Sequence, residues 1–202
     1  MKRIYITILF TLATICTVFG QQDIKAKSIL DKAASVYHQA NGIRLDFEGS
    51  QKGCLLLKES CFYLNCAGVR SWFDGKTQWS YVEDTEEVTI STPTEEEIQS
   101  INPYSLITSY EKAFHYRYAG VNKRNRKQVQ EIVLTPKNHG EIQSITLSIS
   151  TTYEPVYIGI LLTNGSRQEF NIISYQTHQN LDISDFRFDT KKYPDADIID
   201  MR

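Results

Sequence analysis

Ile43-Arg44-Leu45-Asp46-Phe47-Glu48 is the stretch on which the fold turns. Apolar and charged residues alternate strictly, the period-2 pattern of a strand with one buried face. Just upstream the period is different. Ile29, Leu30, Ala33, Val36, Tyr37 and Ala40 recur at spacings of three and four, which predicts an amphipathic helix over about 24 to 40. Asp23 is placed to cap that helix and Asn41-Gly42 to end it. The chain changes from helix to sheet at this point, and no second long helix follows.

Downstream, short β-type runs recur at regular intervals: Cys54 to Lys58, Cys61 to Cys66, Val69 to Phe73, Thr77 to Val82 and Glu86 to Ser91. Five more run from Phe114 to Val121, Lys127 to Thr135, Ile142 to Ser150, Pro155 to Thr163 and Arg167 to Gln176. Asp74-Gly75 and Asn164-Gly165 are tight-hairpin signals. Pro93-Thr94 before Glu95-Glu96-Glu97 predicts a short helix start, and Pro103 another that runs to about Tyr110. About eleven strands without crossover helices predict one antiparallel sheet and a single domain over 21–202. Several strands are apolar on both faces: Leu55-Leu56-Leu57, Ile172-Ile173, and Val156 to Leu162. A sheet this large curls to manage its edges. With a helix in its mouth it encloses either an apolar hollow or a filled core.

Upstream of the helix, Lys2 and Arg3 precede an apolar stretch from Ile4 to Phe19, with Val18 and Gly20 at the −3 and −1 positions of a small-residue cleavage site. This predicts a secretory signal peptide over 1–20, cut before Gln21, and a periplasmic protein. Ile15 stands where a lipoprotein signal wants a small residue, so Cys16 is not expected to be lipidated. The whole chain has 202 residues and a formal charge of −2; without Lys2 and Arg3, 20 basic residues face 24 acidic ones, or −4. That balance argues against a nucleic-acid surface.

Catalytic patterns are sparse. His38, His115, His139 and His178 have no ligand spacing, and the sequence contains no nucleophile elbow, phosphate loop or dinucleotide fingerprint. Asp46 and Glu48 lie two apart on one strand face, as a polar face alone also predicts. The expectation is a binding protein, not an enzyme, with no metal or cofactor. Export makes a disulfide possible among Cys54, Cys61 and Cys66. With a turn centred on Glu59-Ser60, pairing sets Cys54 roughly opposite Cys66, so that bridge is open, with buried thiols as the alternative. The cluster Lys123, Arg124, Arg126 and Lys127 falls in a hairpin turn, either as a solvated turn or as a contact for an anionic partner or lipid headgroup.

The residues also carry a resemblance. Phe73-Asp74-Gly75-Lys76-Thr77-Gln78-Trp79-Ser80-Tyr81 resembles the D-G-K-x-x-W-x-Y hairpin of the LolA family of outer-membrane lipoprotein carriers. Asn102-Pro103-Tyr104-Ser105-Leu106, Val133-Leu134-Thr135-Pro136-Lys137, and Phe186-Arg187-Phe188 with Tyr193-Pro194 and Ile198-Ile199-Asp200 are similar to that family's later segments, in order. The resemblance implies an incomplete eleven-strand β-barrel with a helical lid over an acyl-chain cavity. It also implies a monomeric carrier that takes lipoproteins from an inner-membrane releasing complex to an outer-membrane acceptor. Leu45, Phe47, Leu55, Leu57, Trp72, Trp79 and Tyr81 are the candidate cavity wall. Leu30, Ala33, Val36 and Tyr37, with Leu106 and Ile107, are the candidate lid. The family's lid-latching arginine is missing: the turn reads Lys58-Glu59-Ser60-Cys61, so either Lys58 substitutes or the lid is held differently. The alternative function is a non-carrier envelope module that senses lipid or a protein partner with the same fold.

Overall fold

The structure, a computed structural model, describes residues 15–94, 97–98 and 108–202. Helix α1 (Ile15–Gln39) leads into β1 (Ile43–Gly49), β2 (Gly53–Lys58), β3 (Cys61–Cys66), β4 (Val69–Phe73), β5 (Gln78–Val82) and β6 (Glu87–Ser91). A short helix α2 (Tyr110–Ala113) precedes β7 (Phe114–Arg124), β8 (Lys127–Pro136), β9 (Ile142–Ser150), β10 (Pro155–Leu162) and β11 (Arg167–Thr177). A 3-10 turn, Ile183–Phe186, and β12 (Asp197–Asp200) follow.

All eleven expected strands are present, and a twelfth joins them. The order is β12-β6-β5-β4-β3-β2-β1-β11-β10-β9-β8-β7, one open sheet with β7 and β12 as its edges. The expectation of a purely antiparallel sheet needs one correction, because β12 runs parallel to β6 (Ile198 beside Val88). β12 has only four residues, all exposed, too short for its alternation to stand out. The chain reaches it by crossing the outer face of the sheet, and that long return is what a parallel pairing requires.

The sheet curls around α1. Phe73 of β4 and Tyr118 of β7 belong to one apolar cluster with the helix, though eight strand spacings separate them in the sheet. Laid flat, that distance would be about 38 Å at roughly 4.8 Å per strand, several times the width of a helix. Twist and curl remove the gap, and the two edges stay apart without closing a barrel.

The helix differs from its expected bounds at one end. It ends as expected, with Asn41 and Gly42 at positive φ (43° and 107°). A Cβ on Gly42 would stand 2.4 Å from the Gln179 carbonyl oxygen, so glycine is required there. At its start α1 runs back to Ile15, which makes Asp23 an interior residue and not the cap. Nothing between 15 and 23 breaks a helix in the uncut chain, whereas a chain beginning at Gln21 would put Asp23 back in the first turn. Thr94 and Glu97 form the predicted helix start, with Glu97 accepting from the Thr94 backbone N–H at 2.7 Å. The Pro103 helix lies outside the described residues up to Thr108.

Candidate ligand-binding face

Each strand sends alternate side chains to the helix side. β1 contributes Ile43, Leu45 and Phe47, β2 Leu55 and Leu57, β3 Phe62, and the far half of the sheet Ile132, Leu134, Ile145 and Leu147. Phe47 meets Phe170 of β11 edge-on at 5.7 Å, and Phe62 lies 5.5 Å from Phe73. The backbone is shaped to let these rings in. Gly53 lies under Phe47, and a Cβ there would come within 2.6 Å of the ring. Ala26, Ile29, Leu30, Ala33, Tyr37 and Ala40 of α1 complete the cluster, while Val36 is only partly buried. The helix stripe and the inner strand rows thus form one continuous apolar body.

The seven candidate wall residues divide between two faces. Leu45, Phe47, Leu55 and Leu57 face the helix. Trp72, Trp79 and Tyr81 point the other way, into a separate cluster with Tyr63, Val88, Phe188, Tyr193 and Ala196. The register explains this correction. Phe62 pairs with Phe73 on the helix side, so Trp72, one residue earlier, pairs with Tyr63 on the outer side and Trp79 follows it. These aromatics are buried because the C-terminal segment lies over them. Trp72 meets Phe188 and Tyr193 edge-on at 5.5 and 5.9 Å, and Phe188 stacks on Tyr193 at 5.1 Å. Both faces of β3 and β4 are therefore covered by apolar side chains. On the helix side, the β4–β5 end is polar: Ser71 and Ser80 face each other at 3.2 Å.

Among the described residues α1 is tethered at few points, mostly at the rim. At the β2–β3 turn the Tyr37 hydroxyl donates to the Glu59 carbonyl at 2.6 Å. Burial pushes the Tyr37 phenol well above its ordinary range, so it stays a donor. Lys32 donates to the Tyr153 hydroxyl at 3.1 Å. Near α2 the Tyr110 hydroxyl donates to Asp31 at 2.6 Å and Lys27 pairs with Glu111. Lys58 points to the outer face and donates to the Leu181 carbonyl at 2.6 Å, so it ties the C-terminal segment and not the helix. The contact to the helix from this turn is made by Tyr37, the alternative left open by the missing arginine. Leu106 and Ile107, the remaining lid candidates, lie outside the described residues.

The Cys54–Cys66 bridge left open by the sequence is not formed. Cys54, Cys61 and Cys66 are free, and burial raises the pKa of each. The turn is centred on Glu59-Ser60 as expected, with Lys58 opposite Cys61, but that register sets Cys54 against Asn65 and Cys66 against Gly53. The expected pairing was one residue out, so Cys66 packs on the helix side while Cys54 faces outward. Asp46 also faces outward, bound to Arg44 at 2.9 Å, and lines a cleft of about 420 Å³ with Lys52, Cys54, Asn65 and Ile173.

Sequence reasoning passed over the inner rows of β7 to β9. Their alternation was legible, and only the motif-rich first half drew the candidate list. Tyr118 is the least expected of these residues: its hydroxyl is buried among apolar side chains without a hydrogen-bond partner, and Lys25 stands over its ring at 4.0 Å.

The chain is similar to several solved structures. An uncharacterized conserved protein from Thermus thermophilus superposes with a TM-score of 0.62 at 14% identity, covering 87% of this chain and 99% of that one. The lipoprotein LppX of Mycobacterium tuberculosis gives 0.48 at 11% identity, with 79% and 100% covered. The MucA/MucB complex of Pseudomonas aeruginosa gives 0.44 at 12% identity, with 83% and 62% covered. No curated protein matches in sequence. The model of the family described as outer membrane lipoprotein carrier protein LolA matches residues 16–164, most of the chain. This chain therefore belongs to the LolA family of outer membrane lipoprotein carrier proteins.

Proposed function

We propose that this protein is a periplasmic carrier that holds the acyl chains of exported lipoproteins between α1 and the helix-side face of the sheet. It receives them from an inner-membrane releasing complex and passes them to an outer-membrane acceptor. Export follows cleavage after Gly20, and the carrier acts as a monomer without a cofactor. The supporting observation is that one apolar body contains both the helix stripe and the inner strand rows, while the polar tethers of the helix are few. Hydrogen bonds of this kind contribute about 0.5–1.5 kcal/mol each. Burying Ile29, Leu30 and Tyr37 contributes roughly 1.5–3 kcal/mol per side chain. A dozen acyl methylenes buried in their place contribute about 10 kcal/mol. The two fillings are similar in free energy, so the exchange of cargo with the helix is close to balanced.

The test uses the mature protein, a fluorescent fatty acyl probe and a triacylated lipoprotein. Leu57→Asp on the inner face should abolish binding, and Trp79→Ala on the outer face should leave it within about two-fold if the variant folds. Wild-type protein that is folded yet binds neither ligand would overturn the carrier reading and favour an envelope module for a protein partner.

A further inference from the structure

The β7–β8 hairpin ends in a cluster of cations that acyl binding does not use. Lys123, Arg124, Arg126 and Lys127 sit within five residues, in a chain whose formal charge is −2. Arg124 is engaged: it pairs with Glu131 at 3.0 Å and lies 4.1 Å over the Tyr157 ring. Lys123, Arg126 and Lys127 are exposed, and none has an ion-pair partner among the described residues. The β8–β9 pairing begins only at Val129, so the tip projects past the neighbouring strand. Asn125 and Arg126 both have positive φ (49° and 64°), the geometry of a two-residue turn for which Asn-Gly is favoured. An arginine in the glycine position accepts a strained backbone, and it gains a charge at the outermost point of the hairpin.

We propose that this tip docks the protein on anionic phospholipid headgroups. The proposal does not depend on acyl binding. Three free cations on long flexible side chains, on a tip two strands wide, fit a diffuse charged surface. They do not offer the area or the aromatic anchor of a stable protein interface. The tip also lies beside the β9–β10 turn, where Lys32 of α1 meets Tyr153. Docking there brings the rim that tethers the helix toward the membrane. Each basic residue near an anionic bilayer contributes about 1 kcal/mol, a factor of about five, so the three contribute on the order of a hundred-fold and the contact stays reversible.

The test is co-flotation of the mature wild-type protein with vesicles of phosphatidylglycerol and phosphatidylcholine, against vesicles of phosphatidylcholine alone. Binding is expected only to the anionic vesicles and should be lost in 0.5 M salt. The triple variant Lys123→Gln/Arg126→Gln/Lys127→Gln should lose it about a hundred-fold while keeping the wild-type melting temperature within a few degrees. Arg126→Gly should weaken vesicle binding about five-fold and raise the melting temperature, because it relieves the turn. Equal binding to both vesicle types, or a triple variant that binds like wild type, would overturn the proposal. So would a wild type that ignores vesicles while only the triple variant fails to bind a polyglutamate peptide, which would assign the tip to an acidic protein.

Discussion

Two tyrosines of the helix-side cluster stand in contrast. Tyr37 donates to the Glu59 carbonyl, whereas the buried hydroxyl of Tyr118 has no partner among the described residues. An unpaired buried hydroxyl costs about 1–3 kcal/mol, and a satisfied one contributes about 1 kcal/mol. Tyr118→Phe should therefore raise the free energy of unfolding by about 1 kcal/mol, and Tyr37→Phe should lower it by a similar amount. Urea midpoints that shift in the same direction for both would contradict this. Asp74 supplies a pH dependence. Burial alone would raise its pKa, but the N–H groups of Thr77 and Lys76 and the Arg187 guanidinium outweigh it, and the net shift is downward. A lowered folded pKa means that the contribution is present above the unfolded value of about 3.9 and is lost as pH falls through the lower folded value. Asp74→Asn should therefore destabilise the protein more at pH 7 than at pH 3. An equal loss at both would show that the charge plays no part.

At the scale of elements, period alone was enough to place eleven strands, because one face of each is buried and the alternation follows directly. The Cys61–Cys66, Val69–Phe73 and Ile142–Ser150 strands begin and end where their patterns do. What period cannot give is which face is inward. Trp72, Trp79 and Tyr81 are as apolar as Leu45 and Leu57, and only the pairing with β3 and the cover of Phe188 and Tyr193 assign them to the outer side. Consecutive apolar residues mislead in the same way. Ile172 faces the helix side, and Ile173 is the extra residue of a bulge opposite Asp46–Phe47 and is exposed. The thiols depended on a single step of register, which hydrophobic pattern does not fix for residues that suit either face. Three thiols should titrate in the unfolded, non-reduced protein cut after Gly20, and in the folded protein all should react slowly at neutral pH because burial keeps them protonated. A Cys54–Cys66 peptide crosslink would show a register other than the one with Gly53 opposite Cys66.

For the whole molecule, the open sheet separates two tasks by face. The outer face is covered by the C-terminal segment, which Arg187 ties to Asp74 at 2.9 Å and Lys58 ties at the Leu181 carbonyl, so its aromatics act as ordinary core. The inner face is covered by a helix that, among the described residues, is tethered mainly at the rim and packed through its apolar stripe, and it is the face we propose exchanges its filling. The family was legible in the Asp74-Gly75-Lys76 turn of β4–β5 and the closing Phe186-Arg187-Phe188, which the Arg187–Asp74 ion pair joins. The inner wall follows from strand pairing. The most direct measurement is photocrosslinking to a triacylated lipoprotein from a benzophenone side chain placed at Phe47, at Tyr118 or at Trp79. Crosslinks from positions 47 and 118, with none from 79, are the predicted result. A crosslink from 79 alone, or from none of the three while the lipoprotein is bound, would contradict acyl binding beneath the helix.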